Sequence, residues 1–264
     1  MRACASLLIT LALCAPVASM AASVRLQDLT WMEVRDAVAV GKTTILVPIG
    51  GTEQNGPHMA LGKHNVRAEV LAARIAEALG NALVAPVIAY VPEGSIDPPS
   101  GHMRFPGTIS IPSSTFITLL ESAARSFRAA GFRDIVFLGD HGGYQRDERT
   151  AAEHLNREWA RTSVRAHALE EYYRVTETTF RQALKARGFG DDEIGVHAGL
   201  ADTSLTLAID PKLVRLDRLA AATGPANATG VQGDARRSTA ELGASGVDAI
   251  VKSSVEAIRR AQRR

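Results

Sequence analysis

Residues 44–64 read TILVPIGGTEQNGPHMALGKH, an apolar run of strand length that passes directly into a glycine-rich loop. The loop carries one carboxylate, Glu53, and two imidazoles, His58 and His64. In open α/β sheets, ligands bind outside the carboxyl ends of the strands. Glutamate and histidine together suit zinc and related divalent ions. The sequence therefore predicts a metal site at the end of this strand, with further ligands from other parts of the chain.

The first 22 residues have the layout of a secretory signal peptide. Arg2 supplies a positive start, residues 3–17 are apolar, and residues 19–21 are mostly small, which suits cleavage near Ala21 or Ala22. The apolar run is too short for a membrane span. We expect a secreted or periplasmic protein with no membrane attachment after cleavage; a buried N-terminal helix is the alternative.

Both cysteines, Cys4 and Cys14, lie within this leader. The mature protein would therefore have no disulfide framework, no thiolate metal ligand and no cysteine nucleophile.

Residues 23–264 are long enough for one large α/β domain. Hydrophobic residues make up 46% of the chain, which is enough for a sizeable core. The 30 basic and 28 acidic residues leave a net charge of +2, so the composition does not indicate a nucleic-acid partner.

Apolar strands alternate with segments of helical periodicity along this domain. The predicted strands are residues 44–50, 83–91 and 135–138, and the predicted helices are residues 66–79, 113–130, 146–159, 177–187, 203–208 and 249–260. Ser113 and Ser114 are candidate caps of the second helix. Alternation of this kind predicts right-handed βαβ units. The predicted fold class is therefore α/β, a three-layer αβα sandwich with a central, mostly parallel sheet.

Two further loops offer groups of the same chemistry. The strand at 135–138 runs into Gly139-Asp140-His141-Gly142-Gly143, where glycines allow a sharp turn at the edge of the sheet. In the segment 195–204, His197 comes shortly before Asp202 at the start of a predicted helix. Asp202 is either the N-cap of that helix or a site residue.

Five blocks of the sequence, taken together and in order, resemble the creatininase (creatinine amidohydrolase) family. They are residues 53–64, the Phe-Pro-Gly-Thr block at 105–108 with His102 upstream, residues 139–143, residues 197–204, and Gly-Val-Gln-Gly-Asp at 230–234. The resemblance implies a creatininase-like sandwich and a metal-dependent amidohydrolase that cleaves non-peptide C–N bonds of small linear or cyclic amides, with metal-activated water as nucleophile. It also implies a homo-oligomer, such as a hexamer.

Carried over by position, the resemblance implies that Glu53, His64 and His141 bind a first metal ion. Asn55, His64 and Asp202 would bind a second ion. His197 matches a family histidine that handles protons near the substrate, and Asp202 would orient the water or act as general base. The remaining candidates, His58 and His102, would contact the substrate.

Asn55 and His64 depart from the family pattern, which has histidine and a metal-bridging aspartate at these positions. An amide oxygen is a poor ligand for a borderline-soft metal, and a neutral imidazole offers one lone pair to one metal. We therefore expect one divalent ion, zinc with manganese or iron as alternatives, and a weak or absent second ion.

The His141-Gly142-Gly143 turn lacks the acidic ligand of the creatinine-cleaving members, so creatinine is not the expected substrate. Two alternatives remain open. One is a binding protein with the creatininase fold, whose altered metal site no longer supports catalysis. The other is a metal-dependent phosphoesterase, which the lack of a P-loop and of clustered Arg or Lys disfavours.

Overall fold

A computed structural model describes residues 23–263, and the signal peptide predicted at residues 1–22 lies outside this range. The four strands are β1 (Thr44–Ile49), β2 (Ala82–Val84), β3 (Asp134–Gly139) and β4 (Arg165–Ala168). They form one parallel sheet in the order β2-β1-β3-β4. β1 pairs with β3 along its whole length, from Thr44 opposite Asp134 to Ile49 opposite Gly139. The two central strands therefore end side by side.

Ten α-helices surround this sheet in the part of the chain from residue 23 to 263. They are α1 (Trp31–Ala39), α2 (Lys63–Leu79), α3 (Ser113–Ala129), α4 (Gln145–Glu158), α5 (Glu170–Val175), α6 (Arg181–Ala186), α7 (Asp191–Ile194), α8 (Leu200–Ile209), α9 (Ala226–Thr229) and α10 (Ala240–Ala261). A π-helical segment, Thr176–Phe180, joins α5 to α6. Within these described residues, no helix combines the length and apolar character needed to cross a membrane.

Alternate side chains of the central strands enter two separate cores, as the period of a β-strand requires. Ile45, Val47 and Ile49 pack with α3 and α4, whereas Leu46 packs with α2, α8 and α10. The sheet is thus covered by helices on both faces, which is the usual arrangement of a parallel sheet. The prediction of a three-layer αβα sandwich is confirmed.

Three local predictions differ from the structure. β2 ends at Val84, well before residue 91, because Pro86 lacks the N–H that a sheet ladder needs. The N-cap of α3 is Pro112, so Ser113 and Ser114 lie in the first turn and do not cap it. α10 begins at Ala240 rather than at residue 249, and the side chain of Thr239 accepts a hydrogen bond from the Leu242 N–H as its cap.

Glycine at position 243 lets α10 pack closely on α8, the helix that carries Asp202. A Cβ at Gly243 would lie 1.8 Å from the carbonyl oxygen of Ser204, a backbone atom that cannot rotate away. We expect Gly243→Ala to lower the free energy of unfolding by about 1–3 kcal/mol, the usual cost of overpacking. Urea denaturation of this variant and of Ala244→Ser, an exposed position on the same helix, measures the difference. Equal stability of the two variants would contradict the close helix contact.

Candidate metal centre

The loops that follow β1 and β3 are tied together by one buried tyrosine. The hydroxyl of Tyr144 lies 2.6 Å from the carbonyl oxygen of Gly50 and 2.9 Å from that of Ile49, and it donates its proton to these acceptors. It also accepts hydrogen bonds from the N–H groups of Asp140 and His141, both at 3.1 Å. The chain beyond β1 is therefore fixed relative to His141.

Glu53 is the centre of the site. Its side chain is fully buried, and four imidazoles surround its carboxylate. Oε1 lies 2.8 Å from Nε2 of His64 and 3.8 Å from Nδ1 of His197, and Oε2 lies 3.1 Å from Nε2 of His102 and 3.6 Å from Nε2 of His141. Burial raises the pKa of Glu53, but the hydrogen bond from His64 and the neighbouring rings hold that pKa well below its usual value. The structure thus places Glu53, His64 and His141, the predicted first ligand set, in one cluster.

A second carboxylate, Glu93, joins this cluster and was missed by the sequence analysis. It follows the apolar segment that ends at Val91, which is the same pattern of a carboxylate after a strand-like run that marked Glu53. Oε2 of Glu93 lies 3.6 Å from Nδ1 of His141. Burial and the negative charge of Glu53 raise the pKa of Glu93 to about 9.

The donor atoms of this cluster fit a divalent cation. Each of four side chains offers one ligand atom, and these atoms lie within 4.8 Å of one another: Glu53, Glu93, His102 and His141. Oε2 of Glu53 and both oxygens of Glu93 are buried and accept no hydrogen bond from residues 23–263. Buried carboxylate oxygens without donors are unfavourable unless a cation or a proton compensates them. Two carboxylates and two imidazoles are ligands that zinc, manganese and iron accept.

Two of the imidazoles around Glu53, those of His141 and His197, are neutral near pH 7. Burial lowers the pKa of His141 to about 3 and that of His197 to about 4. A neutral ring keeps a lone pair for a metal or a proton. The side-chain amide of Gln54 contacts two of the rings. Its Nε2 lies 2.9 Å from Nδ1 of His102 and 3.0 Å from Nε2 of His197.

His64 lies between two carboxylates, and its predicted role as a metal ligand stays a prediction. Its Nε2 faces Glu53, and its Nδ1 lies 2.6 Å from Oδ2 of Asp140. Each ring nitrogen thus lies within hydrogen-bond distance of a carboxylate oxygen. In this geometry His64 orients Glu53.

Asp202 is paired with two cations and a backbone N–H, and its predicted roles in metal binding and as a base stay predictions. Lys63 and the backbone N–H of Ala198 donate to its Oδ2, the latter at 3.0 Å, and Arg67 donates to its Oδ1 at 2.7 Å. Burial raises the pKa of Asp202, but Lys63 and Arg67 hold it well below its usual value. The carboxylate is ionised, and its oxygens are already paired with cations.

Lys63 and Arg67 are buried cations that the sequence analysis did not expect. Their side chains are 1% and 6% exposed. Arg67 donates to Asp140 at 2.8 Å as well as to Asp202. Both residues lie in the first turns of α2, where a sequence pattern does not distinguish a buried cation from a solvated one.

Two other predicted residues have structural partners. His58 is buried, and its Nε2 lies 3.0 Å from the hydroxyl of Thr203. It is not among the residues that line the cavity beside the cluster, and its predicted contact with a substrate stays a prediction. Asn55 donates through Nδ2 to the carbonyl oxygens of Glu53 and Ala60, at 2.9 and 3.2 Å, and so shapes the loop.

A cavity of about 260 Å³ opens beside the cluster. Its walls include Lys63, His102, His141 and His197, together with Tyr173 from α5. A volume of this size accommodates a small molecule or the end of a longer one. His102 is one of the residues that line this cavity, and its predicted contact with a substrate stays a prediction.

Comparisons with known proteins point to one family. The sequence model described as "Creatininase: Creatinine amidohydrolase" matches residues 27–258. The creatinine amidohydrolase of Pseudomonas putida is 30% identical over 203 residues, which cover 76% of this chain and 77% of that protein. A mycofactocin precursor peptide peptidase of Mycobacterium ulcerans (strain Agy99) is 33% identical over 195 residues, covering 67% of this chain and 63% of that protein. A solved structure of a mutant creatininase of Zn-Zn type is similar with a TM-score of 0.73 at 29% identity, covering 90% of this chain and 98% of that one.

The raised pKa of Glu93 makes the stability of the metal-free protein depend on pH. The folded protein keeps the Glu93 proton up to about pH 9, whereas in the unfolded chain this carboxyl has its ordinary pKa of 4.5 and loses the proton there. The free energy of unfolding should therefore fall as pH rises between these values, by at most about 1.4 kcal/mol per pH unit from this group. Glu93→Gln should remove this contribution. Urea denaturation of both proteins in chelator from pH 5 to 9 tests it; identical slopes would contradict a buried, protonated Glu93.

Proposed function

The chain belongs to the creatininase family, and we propose that it is a metal-dependent hydrolase of the C–N bond in small amides. One observation carries the proposal: two buried carboxylates with unpaired oxygens face two neutral imidazoles at the edge of a cavity. A site of this composition is costly to fold unless a cation occupies it. The relatives named above include a creatinine amidohydrolase and a peptide peptidase, which support amide hydrolysis as the reaction.

Glu53, Glu93, His102 and His141 would hold the ion, with zinc as the first candidate and manganese or iron as alternatives. Their convergence within 4.8 Å and the unpaired carboxylate oxygens support this ligand set. An ion bound there would polarise a substrate carbonyl and lower the pKa of a bound water.

The charges of the buried groups favour a single ion. Glu53, Glu93, Asp140 and Asp202 together bring four negative charges when all are ionised. Lys63, Arg67 and one divalent ion already supply four positive charges, before any charge on His64 between its two carboxylates is counted. A second divalent ion would leave an excess of at least two buried positive charges, which is strongly unfavourable. Asp202, already paired with two cations, and Asn55, whose amide binds backbone, offer little to a second ion.

His197 is the group placed to pass a proton to the departing nitrogen. It lines the cavity, and its pKa of about 4 leaves it neutral near pH 7, ready to take a proton from water and return it. Glu53 is ionised and fixed by His64, so it holds its position while the proton moves. The cavity volume of about 260 Å³ supports a small amide or the end of a peptide as substrate.

Mutations at two histidines separate the proposed metal role from the proton role. His141→Ala should lose bound metal and turnover together, since it removes a ligand. His197→Ala should keep the metal and lose about 10²–10⁴-fold in rate, the usual contribution of general acid–base catalysis. Elemental analysis and a panel of linear and cyclic amides, creatinine and short peptides measure both, with His154→Ala, an exposed residue paired with Glu121, as control.

The outcome also decides between the enzyme and a binding protein. A wild-type protein that holds metal and cleaves an amide, with the pattern above in the variants, supports the hydrolase. A wild-type protein that retains no divalent ion and turns over none of the panel would instead indicate a degenerate site.

We also propose export of the protein and its assembly into a homo-oligomer outside the cytoplasm. The charge, apolar run and small residues of positions 1–22 support cleavage by signal peptidase. Expression of the full chain in a Gram-negative host should give periplasmic protein whose N-terminus begins near Ser23, by N-terminal sequencing. Recovery of an intact Met1 in the cytoplasm would contradict export, and size-exclusion chromatography of the same material measures the assembly.

A further inference from the structure

The environment of Lys63 is unfavourable for the stability of the folded protein. Its ammonium group is removed from water, with 1% of the side chain exposed, and it occupies the first position of α2. The N-terminus of a helix carries a partial positive charge, so a cation there is repelled. Residues that break local rules of stability in this way tend to lie at functional sites.

The two buried cations differ in how many of their N–H donors have a hydrogen-bond partner. Arg67 donates through Nε to Asp140 and through one terminal nitrogen to Asp202, and its other terminal nitrogen lies 3.1 Å from Nδ1 of His64. An ammonium group has three donors. Among residues 23–263, the ammonium group of Lys63 has one hydrogen-bond partner, Asp202. Two N–H groups of Lys63 are therefore left for a ligand.

Lys63 lines the same cavity as His102, His141 and His197. A substrate in the cavity would thus have the cluster around Glu53, the ring of His197 and the ammonium group of Lys63 around it.

We propose that Lys63 is a catalytic residue whose ammonium group binds the carbonyl oxygen of the scissile amide and stabilises the negative charge that develops there. This inference rests on the proposed amide hydrolysis. Water adds its oxygen to the carbonyl carbon, and the π electron pair moves to the carbonyl oxygen beside Lys63. The electron pair returns, the C–N bond breaks, and the proton lost by water goes to the leaving nitrogen. Lys63 keeps its own protons throughout. The first products are a carboxylic acid and an amine, and transfer of the acid's proton to the amine gives a carboxylate and an ammonium ion.

The main alternative is that Lys63 serves only as the counter-ion of Asp202. A double variant separates the two roles, because Asp202→Asn removes the charge that would need Lys63. The comparison is therefore between Asp202→Asn and Asp202→Asn with Lys63→Met, each loaded with zinc and assayed on the amide that the wild-type protein cleaves best. Bound zinc and melting temperature are measured on the same samples.

We expect the double variant to bind one zinc per chain, as Asp202→Asn does, and to have a kcat about 10²–10³-fold lower, the usual loss when one donor to a developing oxyanion is removed. A kcat within about threefold of Asp202→Asn would overturn the proposal, and so would an effect confined to KM or a loss of zinc caused by Lys63→Met. Failure of the proposed function has a different signature, since the wild-type protein itself would then cleave none of the amides.

Discussion

Glu53, Asp140 and Asp202 bring three carboxylates into the interior beside the carboxyl ends of β1 and β3, and each needs a positive partner there. His64 contacts Glu53 and Asp140, Arg67 contacts Asp140 and Asp202, and Lys63 contacts Asp202. The charged groups form one continuous network. Removal of any member would therefore leave another buried charge without an opposite charge beside it. At the far end of this network, Oε2 of Glu53 and the Glu93 carboxyl remain without donors. That end is where an added cation stabilises the fold.

The topology of the sheet explains why the network lies at this edge. β1 and β3 are neighbours and run parallel, so the loops carrying Glu53 and His141 leave the sheet at the same level. Parallel strands are joined through helices, and α2 returns from the β1 loop with His64 in its first turn. Tyr144, buried under the two loops, then fixes their separation through four backbone contacts. The relative positions of Glu53 and His141 are therefore fixed by backbone elements.

The fold class could be predicted from the sequence, and so could the central position of Glu53 and His141. The prediction rested on the residue types that follow the apolar runs and on the order of the motifs along the chain. The apolar runs at 44–50 and 135–138 became β1 and β3 nearly as predicted, because buried parallel strands have a strong local signal. Glu93 was missed since Pro86 and Pro92 obscure the segment before it, and that segment leaves the sheet after Val84. The partners of His64 and Asp202 could not be predicted, because they depend on which faces of α2 and α8 meet in three dimensions. No pattern in the chain marks Lys63 and Arg67 as buried.

Three side chains whose contacts were not predicted lie within little more than one turn of α2: Lys63, His64 and Arg67. Lys63 and Arg67 are four residues apart on α2, so their side chains share a face and converge on Asp202, while His64 points to Glu53 and Asp140. A histidine at position 64 cannot bridge two metal ions as a carboxylate does, but it can join two carboxylates, which a second carboxylate cannot do without a proton or an ion. The same turn thus carries positive charge that is fixed on the chain. Because a fixed ammonium group cannot dissociate as a metal ion can, this half of the site keeps its charge whatever the supply of metal.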